Sequence, residues 1–252
     1  MDVLSKYSTP LSIIVPVFNE EEYLFESLTK TYRSALLLLA EFEIVIVNDA
    51  SSDTSQHIID MFLAEHTNVM CVTHLINKGF GGAVKSALNI CKYEYAICVP
   101  VDSPIDEKTL NFFLQEHSNC DIVISYRVQR IGYSKMMLFN SWAYHFLVSV
   151  LFGLNLKDYN WIHLYRTAIF KEIDLKANGI FMLAEVIIEA SRKKFRIIEI
   201  PVEQQQRISG TATSTKLSSI VNVLNELIQY YFHSFFRSFY STSKNKVLFR
   251  GK

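Results

Sequence analysis

Four groups of amide and carboxylate side chains each follow a short apolar run. Asn19 and Glu20 follow the run 13–17; Asn48, Asp49 and Asp53 follow 44–47; Asn77, Gly79, Gly81 and Gly82 follow 69–75; Asp102 follows 95–99. Such groups accept hydrogen bonds from ribose hydroxyls and base N–H groups, a carboxylate can bind a hard cation beside a phosphate, and glycine lets backbone approach a ligand. Any one group could be turn chemistry, since Asn and Asp cap helices and favour turns, and the glycines equally suit a tight turn or close helix packing. Four groups at four strand ends point instead to one crevice, because ligands of open α/β sheets bind outside the carboxyl ends of the strands.

Holding these side chains together requires a sheet. The first half alternates β-branched runs with helical periods, which predicts an α/β fold with a mostly parallel central sheet flanked by helices. Strands are expected at 13–17, 44–47, 69–75, 95–99, 122–125 and 196–200, with 95–99 stopped by Pro100 and 196–200 by Pro201. Asn19, three residues before Glu22, resembles a capping box opening the first helix. Further helices are expected at 54–65, 83–91, 107–116, 134–152 and 182–193. Leu217, Ile220, Val221, Leu224, Leu227, Ile228, Tyr231 and Phe235 then keep one face of a C-terminal amphipathic helix. Residues 1–212 are read as the catalytic domain and 213–252 as that helix with a basic tail.

Composition excludes several classes. Of 252 residues 50% are apolar, with only 8 glycines and 5 prolines, so neither a disordered nor a collagen-like chain is indicated. Four cysteines, Cys71, Cys91, Cys98 and Cys120, lack metal-ligand spacing and read as reduced, mostly buried thiols. With 25 basic and 25 acidic residues, no nucleic-acid partner is expected. The charge is nonetheless uneven: ten acids face three bases in residues 1–60, and six bases face one acid in 213–252. A basic end beside aromatic helices suits an anionic membrane surface, or else a solvated tail or a second subunit. No leader pattern opens the chain, and the apolar stretch 142–156 falls short of the roughly 20 residues that span a bilayer. The catalytic part is expected in the cytoplasm, peripheral on the inner face of the membrane.

The segments Ser12-Ile-Ile-Val-Pro-Val-Phe-Asn-Glu20, Val45-Ile-Val-Asn-Asp-Ala-Ser-Ser-Asp53 and Asn77-Lys-Gly-Phe-Gly-Gly-Ala83 together resemble the opening of the inverting glycosyltransferase family 2, a GT-A fold. The dolichol-phosphate mannose synthase-like subgroup is the most similar. The likeness continues through Leu164-Tyr-Arg166, Glu185, Ile198-Glu-Ile-Pro-Val202 and Arg207 with Gly210, over roughly residues 11–215. It implies a nucleotide-sugar donor, UDP- or GDP-linked, held by Pro16, Asn19, Glu20, Asp49, Asn77, Gly79 and Gly81. It also implies a polyprenyl-phosphate or glycan acceptor, of the kind used in cell-envelope or surface polysaccharide synthesis. Family members carry Asp-x-Asp after the fourth strand, with a further oxygen ligand two positions on. Here those positions read Pro100, Asp102 and Pro104, so Mg²⁺ or Mn²⁺ would rest on Asp102 alone and bind weakly. The likeness further implies Arg207 at the diphosphate, with Arg127 as a second candidate or else a surface charge. It places Glu185 near the acceptor, as a general base for a sugar hydroxyl or an orienting group for a phosphate, unless it pairs with Arg166 or His163. Thr213 replaces a family lysine, with Lys216 the available substitute. A transferase using Asp102, Glu185 and Arg207 is the leading expectation; a degenerate nucleotide-sugar-binding or assembly protein is the alternative, and a nucleotidyltransferase a third.

Overall fold

The computed structural model describes residues 6–203 and 220–234. The chain divides into two compact units, 1–210 and 211–252. In the first, strands β1 (Leu11–Val17), β2 (Phe42–Asn48), β3 (Val69–Thr73), β4 (Tyr95–Cys98), β5 (Ile122–Arg127), β6 (His163–Arg166) and β7 (Ile197–Val202) are interleaved with helices. These are α1 (Leu24–Leu38), α2 (Ser55–Glu65), α3 (Gly79–Leu88), α4 (Glu107–Glu116), α5 (Lys135–Phe152) and α6 (Met182–Arg192). In the second unit the described residues, 220–234, are helical, within the amphipathic stretch expected from the sequence.

The strands form one sheet in the order β3-β2-β1-β4-β6-β5-β7. Only β6 runs against its neighbours, between β4 and β5; the other pairs are parallel. The inner strands are apolar on both faces because helices cover both. Leu11, Ile13, Val15 and Val17 join one cluster with Leu24 and Leu28 of α1, Phe62 of α2 and Phe113 of α4. Ile14, Val45 and Val47 are buried too, and α3 lies against β1 and β2. Continuous burial of this kind is the signature of parallel strands.

The chain runs outward from β1 to β2 and β3, then returns to place β4 on the other side of β1, so the strand order reverses between β1 and β4. Ligands of open α/β sheets bind outside the carboxyl ends at such a reversal. Pro16 ends the pairing there. The β1–β4 ladder ends where the Val99 N–H donates to the Ile14 carbonyl, and Pro16 is the next residue whose backbone turns that way. Its missing N–H leaves no donor to extend the pairing.

Three expected boundaries are corrected. Asn19 does not cap α1: its backbone is left-handed at φ 55°, and α1 begins at Leu24 without a side-chain cap. Helix α3 starts at Gly79 rather than residue 83, taking the glycines into its first turn. The short strand β6 lies outside the expected strands, on residues that carry only the Leu164-Tyr-Arg166 motif in the sequence. Of the cysteines, Cys98 and Cys120 are buried and Cys71 and Cys91 partly so, all as free thiols. Burial pushes the Cys91 and Cys120 thiols up to about 11, so neither is a nucleophile near neutrality.

Candidate active site

The loops after β1 and β2 are laced together. Asn19 Oδ1 accepts from the Ser52 N–H (2.8 Å) and the Asn19 N–H donates to Ser51 Oγ (3.0 Å). Glu21 Oε2 accepts from both the N–H and the hydroxyl of Thr54, while the Glu21 N–H donates to Asp53 Oδ2. Glu20 donates its N–H to Ser55 Oγ at 3.0 Å. Left-handed backbone at Asn19, tolerated by Asn better than by most residues, turns the chain so that these exchanges close.

Asp49, directly after β2, binds the third loop. Its Oδ1 accepts from the Lys78 N–H at 2.8 Å, and its Oδ2 from the Gly79 N–H at 2.8 Å. The Asn77 amide donates to the Asp49 carbonyl at 3.3 Å. The expected donor residues Asn19, Glu20, Asp49, Asn77 and Gly79 therefore do meet at one edge, with half-buried Pro16 beneath them. Phe18, which the sequence reading passed over, is 48% exposed between Pro16 and Asn19. An exposed aromatic within a strand-end run of polar residues is the signal that would have found it.

Of the readings the glycines allow, close packing is the one their surroundings match. A Cβ on Gly81 would lie 2.8 Å from Met182 Cβ and 2.9 Å from the Gly179 carbonyl oxygen; one on Gly79, at φ +80°, would lie 2.6 Å from the Asn178 oxygen. The space is filled by the segment leading into α6, so packing, not ligand approach, is what Gly81 serves. That segment is fixed by the Gly82 N–H bond to the Asn178 carbonyl and by Lys85 Nζ on Asn178 Oδ1 at 2.6 Å.

Glu185 holds the same segment from the other side. It is fully buried on α6, with its two carboxylate oxygens accepting from the Lys176 and Ala177 N–H groups at 2.7 and 2.8 Å. Burial pushes its carboxyl above the ordinary value, and the two backbone bonds oppose that rise. A carboxylate so enclosed, with both oxygens engaged, braces the loop 176–177. Its partners are those amides rather than Arg166 or His163.

Asp102 lies half-buried in the turn 99–104 after β4, across the switch point from Asn19 and Glu20. Asp106 cannot join it, because its side chain caps α4 through the Thr109 N–H. Nor can Asp121, which precedes β5 and so sits at the opposite edge, bonded to the Arg196 N–H. Among the described residues no three His, Cys, Asp or Glu side chains are grouped to hold a metal. Arg207, with Gly210, Thr213 and Lys216, lies outside the described residues.

Arg127 is not a surface charge. At the carboxyl end of β5, with its side chain 8% exposed, it grips Asp158 with Nε and Nη2 at 2.8 and 3.0 Å. It also donates to Tyr133 Oη and stacks over Trp161 at 4.6 Å. Arg130 and His145 approach the same carboxylate at 3.5 and 3.7 Å. Burial would push the Asp158 carboxyl up; the neighbouring His145 ring and the charges of Arg127 and Arg130 outweigh it and hold it well below the usual carboxylate range. Two guanidinium groups against one carboxylate leave this corner cationic.

Helix α5 buries Tyr144 and Val148 yet is apolar on its outer face as well. Ser141 and His145 turn inward to Arg130 and Asp158, whereas Phe139, Trp142, Phe146 and Val150 are exposed, Trp142 to 62%. Trp142 stacks on Phe146 with ring centroids 5.6 Å apart. Among the described residues no helix is long and apolar enough to cross a membrane.

The family model for glycosyl transferase family 2 matches residues 12–177. A poly(ribitol-phosphate) beta-glucosyltransferase from Bacillus spizizenii is 31% identical over 101 residues, 40% of this chain and 16% of that protein. A dolichyl-phosphate beta-glucosyltransferase from Trichomonas vaginalis is 28% identical over 240 residues, 88% of this chain and 73% of that one. The crystal structure of glucosyl-3-phosphoglycerate synthase from Mycobacterium tuberculosis, in complex with Mn²⁺, UDP and phosphoglyceric acid, superposes with a TM-score of 0.70. It covers 88% of this chain and 78% of its own, at 12% identity, which establishes a shared fold. The chain thus spans well under two thirds of some relatives and more of others.

Proposed function

The chain belongs to glycosyl transferase family 2, and on that footing we propose that it is an inverting glycosyltransferase moving a sugar from a nucleotide-sugar donor to a polyprenyl phosphate. The observation that carries this reading is the convergence of the Asn19, Asp49 and Asn77–Gly79 loops beside the β1/β4 switch point. Phe18 offers a face for the base, Asn19 and Glu20 bonds to the nucleoside, and Asp49 fixes the loop that borders it. The sugar then lies toward Asp102, where the acceptor attacks the anomeric carbon from the face opposite the leaving nucleoside diphosphate.

Glu185 bears on the acceptor class. A sugar hydroxyl needs a base to take its proton, and the carboxylate expected to do so is sealed. A phosphate arrives already ionised and needs none. The cationic corner of Arg127 and Arg130 suits such an anion, and the apolar outer face of α5, on the segment that follows, suits the lipid that carries it. A peripheral seat on a membrane surface follows from the same face. Arg207 remains the residue proposed for the leaving diphosphate.

A divalent cation fits only as a partner of the bound diphosphate. Asp102 is the one carboxylate offered, because Pro100 and Pro104 carry no side-chain oxygen. Mg²⁺ or Mn²⁺ held this way would neutralise charge on the leaving phosphates, at low affinity without them. The two prolines also favour a second reading, donor binding without turnover. One experiment separates them: UDP- and GDP-sugars are supplied with polyprenyl phosphate and Mn²⁺, and release of nucleoside diphosphate is followed. Release that Asp102→Asn abolishes supports the transferase; donor binding with no release under any metal selects the binding protein. Absence of donor binding refutes both.

A further inference from the structure

Asp49 has one more partner, which neither the sequence reading nor the family match assigned. His74, one residue past β3, lies with its Nδ1 2.6 Å from Asp49 Oδ1, and its Nε2 2.9 Å from Ser86 Oγ on α3. Both members of the pair are buried, with 3% and 4% of their side chains exposed. The backbone of His74 is tied as well, its N–H donating to the Asn48 carbonyl at 2.9 Å. Serine, histidine and aspartate in this order resemble a hydrolytic relay, but here the pair is buried and the Asp49 carboxylate is committed to the Lys78 and Gly79 N–H groups. The arrangement works as a strut.

We propose that His74 is a positioning residue for the nucleotide-sugar donor, setting the Asp49 carboxylate that shapes the loop 77–79. The inference rests on the donor site proposed above. A carboxylate can only accept, so Nδ1 carries the hydrogen toward Asp49, while Nε2 and the Ser86 hydroxyl share the second bond. With that third donor in place, Oδ1 and Oδ2 are aimed at the Lys78 and Gly79 N–H groups. Without it, a buried carboxylate loses one of three bonds and turns toward other donors, and the loop loses its anchor.

The two ring nitrogens can be tested apart. An Asn amide at position 74 places its N–H₂ near the Nδ1 position and can still donate to Asp49, whereas a Gln amide reaches toward Ser86 and leaves Asp49 without that donor. His74→Asn, His74→Gln and Ser86→Ala are made in the full chain. Donor affinity, the split between donor KM and kcat, thermal stability, and amide hydrogen exchange at Lys78 and Gly79 are then measured. The expected result is a donor affinity weakened about tenfold in His74→Gln, the scale of one lost charge-assisted bond. His74→Asn and Ser86→Ala stay within about threefold of the parent by the same reasoning. In His74→Gln the change falls on KM rather than kcat, and exchange at residues 78 and 79 accelerates about tenfold at a temperature where all variants are folded. Equal affinities and exchange rates in the Asn and Gln variants overturn the proposal, as does a Gln variant that loses kcat and thermal stability with KM unchanged. A parent protein that binds neither UDP- nor GDP-sugars overturns the donor site itself and the donor role of His74 with it. Exchange at 78 and 79 then still reports whether the strut holds the loop.

Discussion

His163 stands mid-sheet on β6, opposite Cys98 of β4 and Ile124 of β5. It is fully buried, its Nδ1 lies 2.9 Å from Tyr165 Oη, and its Nε2 has no hydrogen-bond partner. Burial lowers its imidazole to about 4, against a smaller upward pull from the Asp158 charge. An unfolded chain titrates the same group near ~6.5. Below that value the unfolded state takes up a proton that the folded state refuses. Folding therefore loses stability as pH falls from about 6.5 to about 4, and the loss levels off below the folded value. At pH ~4.5 the two values imply a loss of roughly 2 kcal/mol relative to neutral pH, a large part of the margin of an ordinary domain. Urea unfolding of the parent and of His163→Gln at neutral pH and near pH 4.5 isolates the effect. Other titrating groups cancel in the difference, leaving His163→Gln less sensitive to acid by roughly 2 kcal/mol whatever its stability at neutrality. Identical pH dependence in the two proteins refutes the reasoning.

Gly81→Ala brings a methyl group against the Gly179 and Ala177 carbonyl oxygens, which are backbone and cannot turn away. It should lower stability by about 2 kcal/mol in urea unfolding, and a neutral effect would show that the segment yields. Asp158→Asn removes the counter-charge of buried Arg127 and should cost about 3 kcal/mol; a loss below about 1 kcal/mol would mean that Arg127 finds water or another partner. On α5, serine in place of both Trp142 and Phe146 removes an exposed apolar stack. Sedimentation with anionic phospholipid vesicles should fall about tenfold or more with the melting temperature unchanged, and unchanged sedimentation removes α5 as the lipid-facing element.

Much of the fold was legible because its signals are local. The apolar runs at 13–17, 44–47 and 95–99 fall within or next to β1, β2 and β4, since a strand covered on both faces shows no alternation. The clusters Asn19–Glu20, Asn48–Asp49 and Asn77–Gly79 meet as expected because strand ends in a parallel sheet share one edge. The capping box at Asn19 misled for a local reason as well. Asn favours both helix caps and left-handed turns, and Ser51 and Ser52, supplied from the next loop, tipped it to the turn.

Roles that depend on what lies opposite were not legible. Glu185 looks like any acid on an amphipathic helix until the Lys176 and Ala177 amides close over it. Arg127 reads as a surface charge until Asp158, from a distant loop, meets its fork. His74 has no motif about it, and only the packing of α3 puts Ser86 on one side of its ring and Asp49 on the other. Strand and helix identity, the order of the clusters and the proline substitutions around Asp102 are carried by residue type and near-neighbour spacing, which chain chemistry expresses wherever it occurs. Burial, hydrogen-bond partner and ionisation depend on segments tens of residues apart arriving at the same place, and those emerge only when the sheet closes and the helices settle on it.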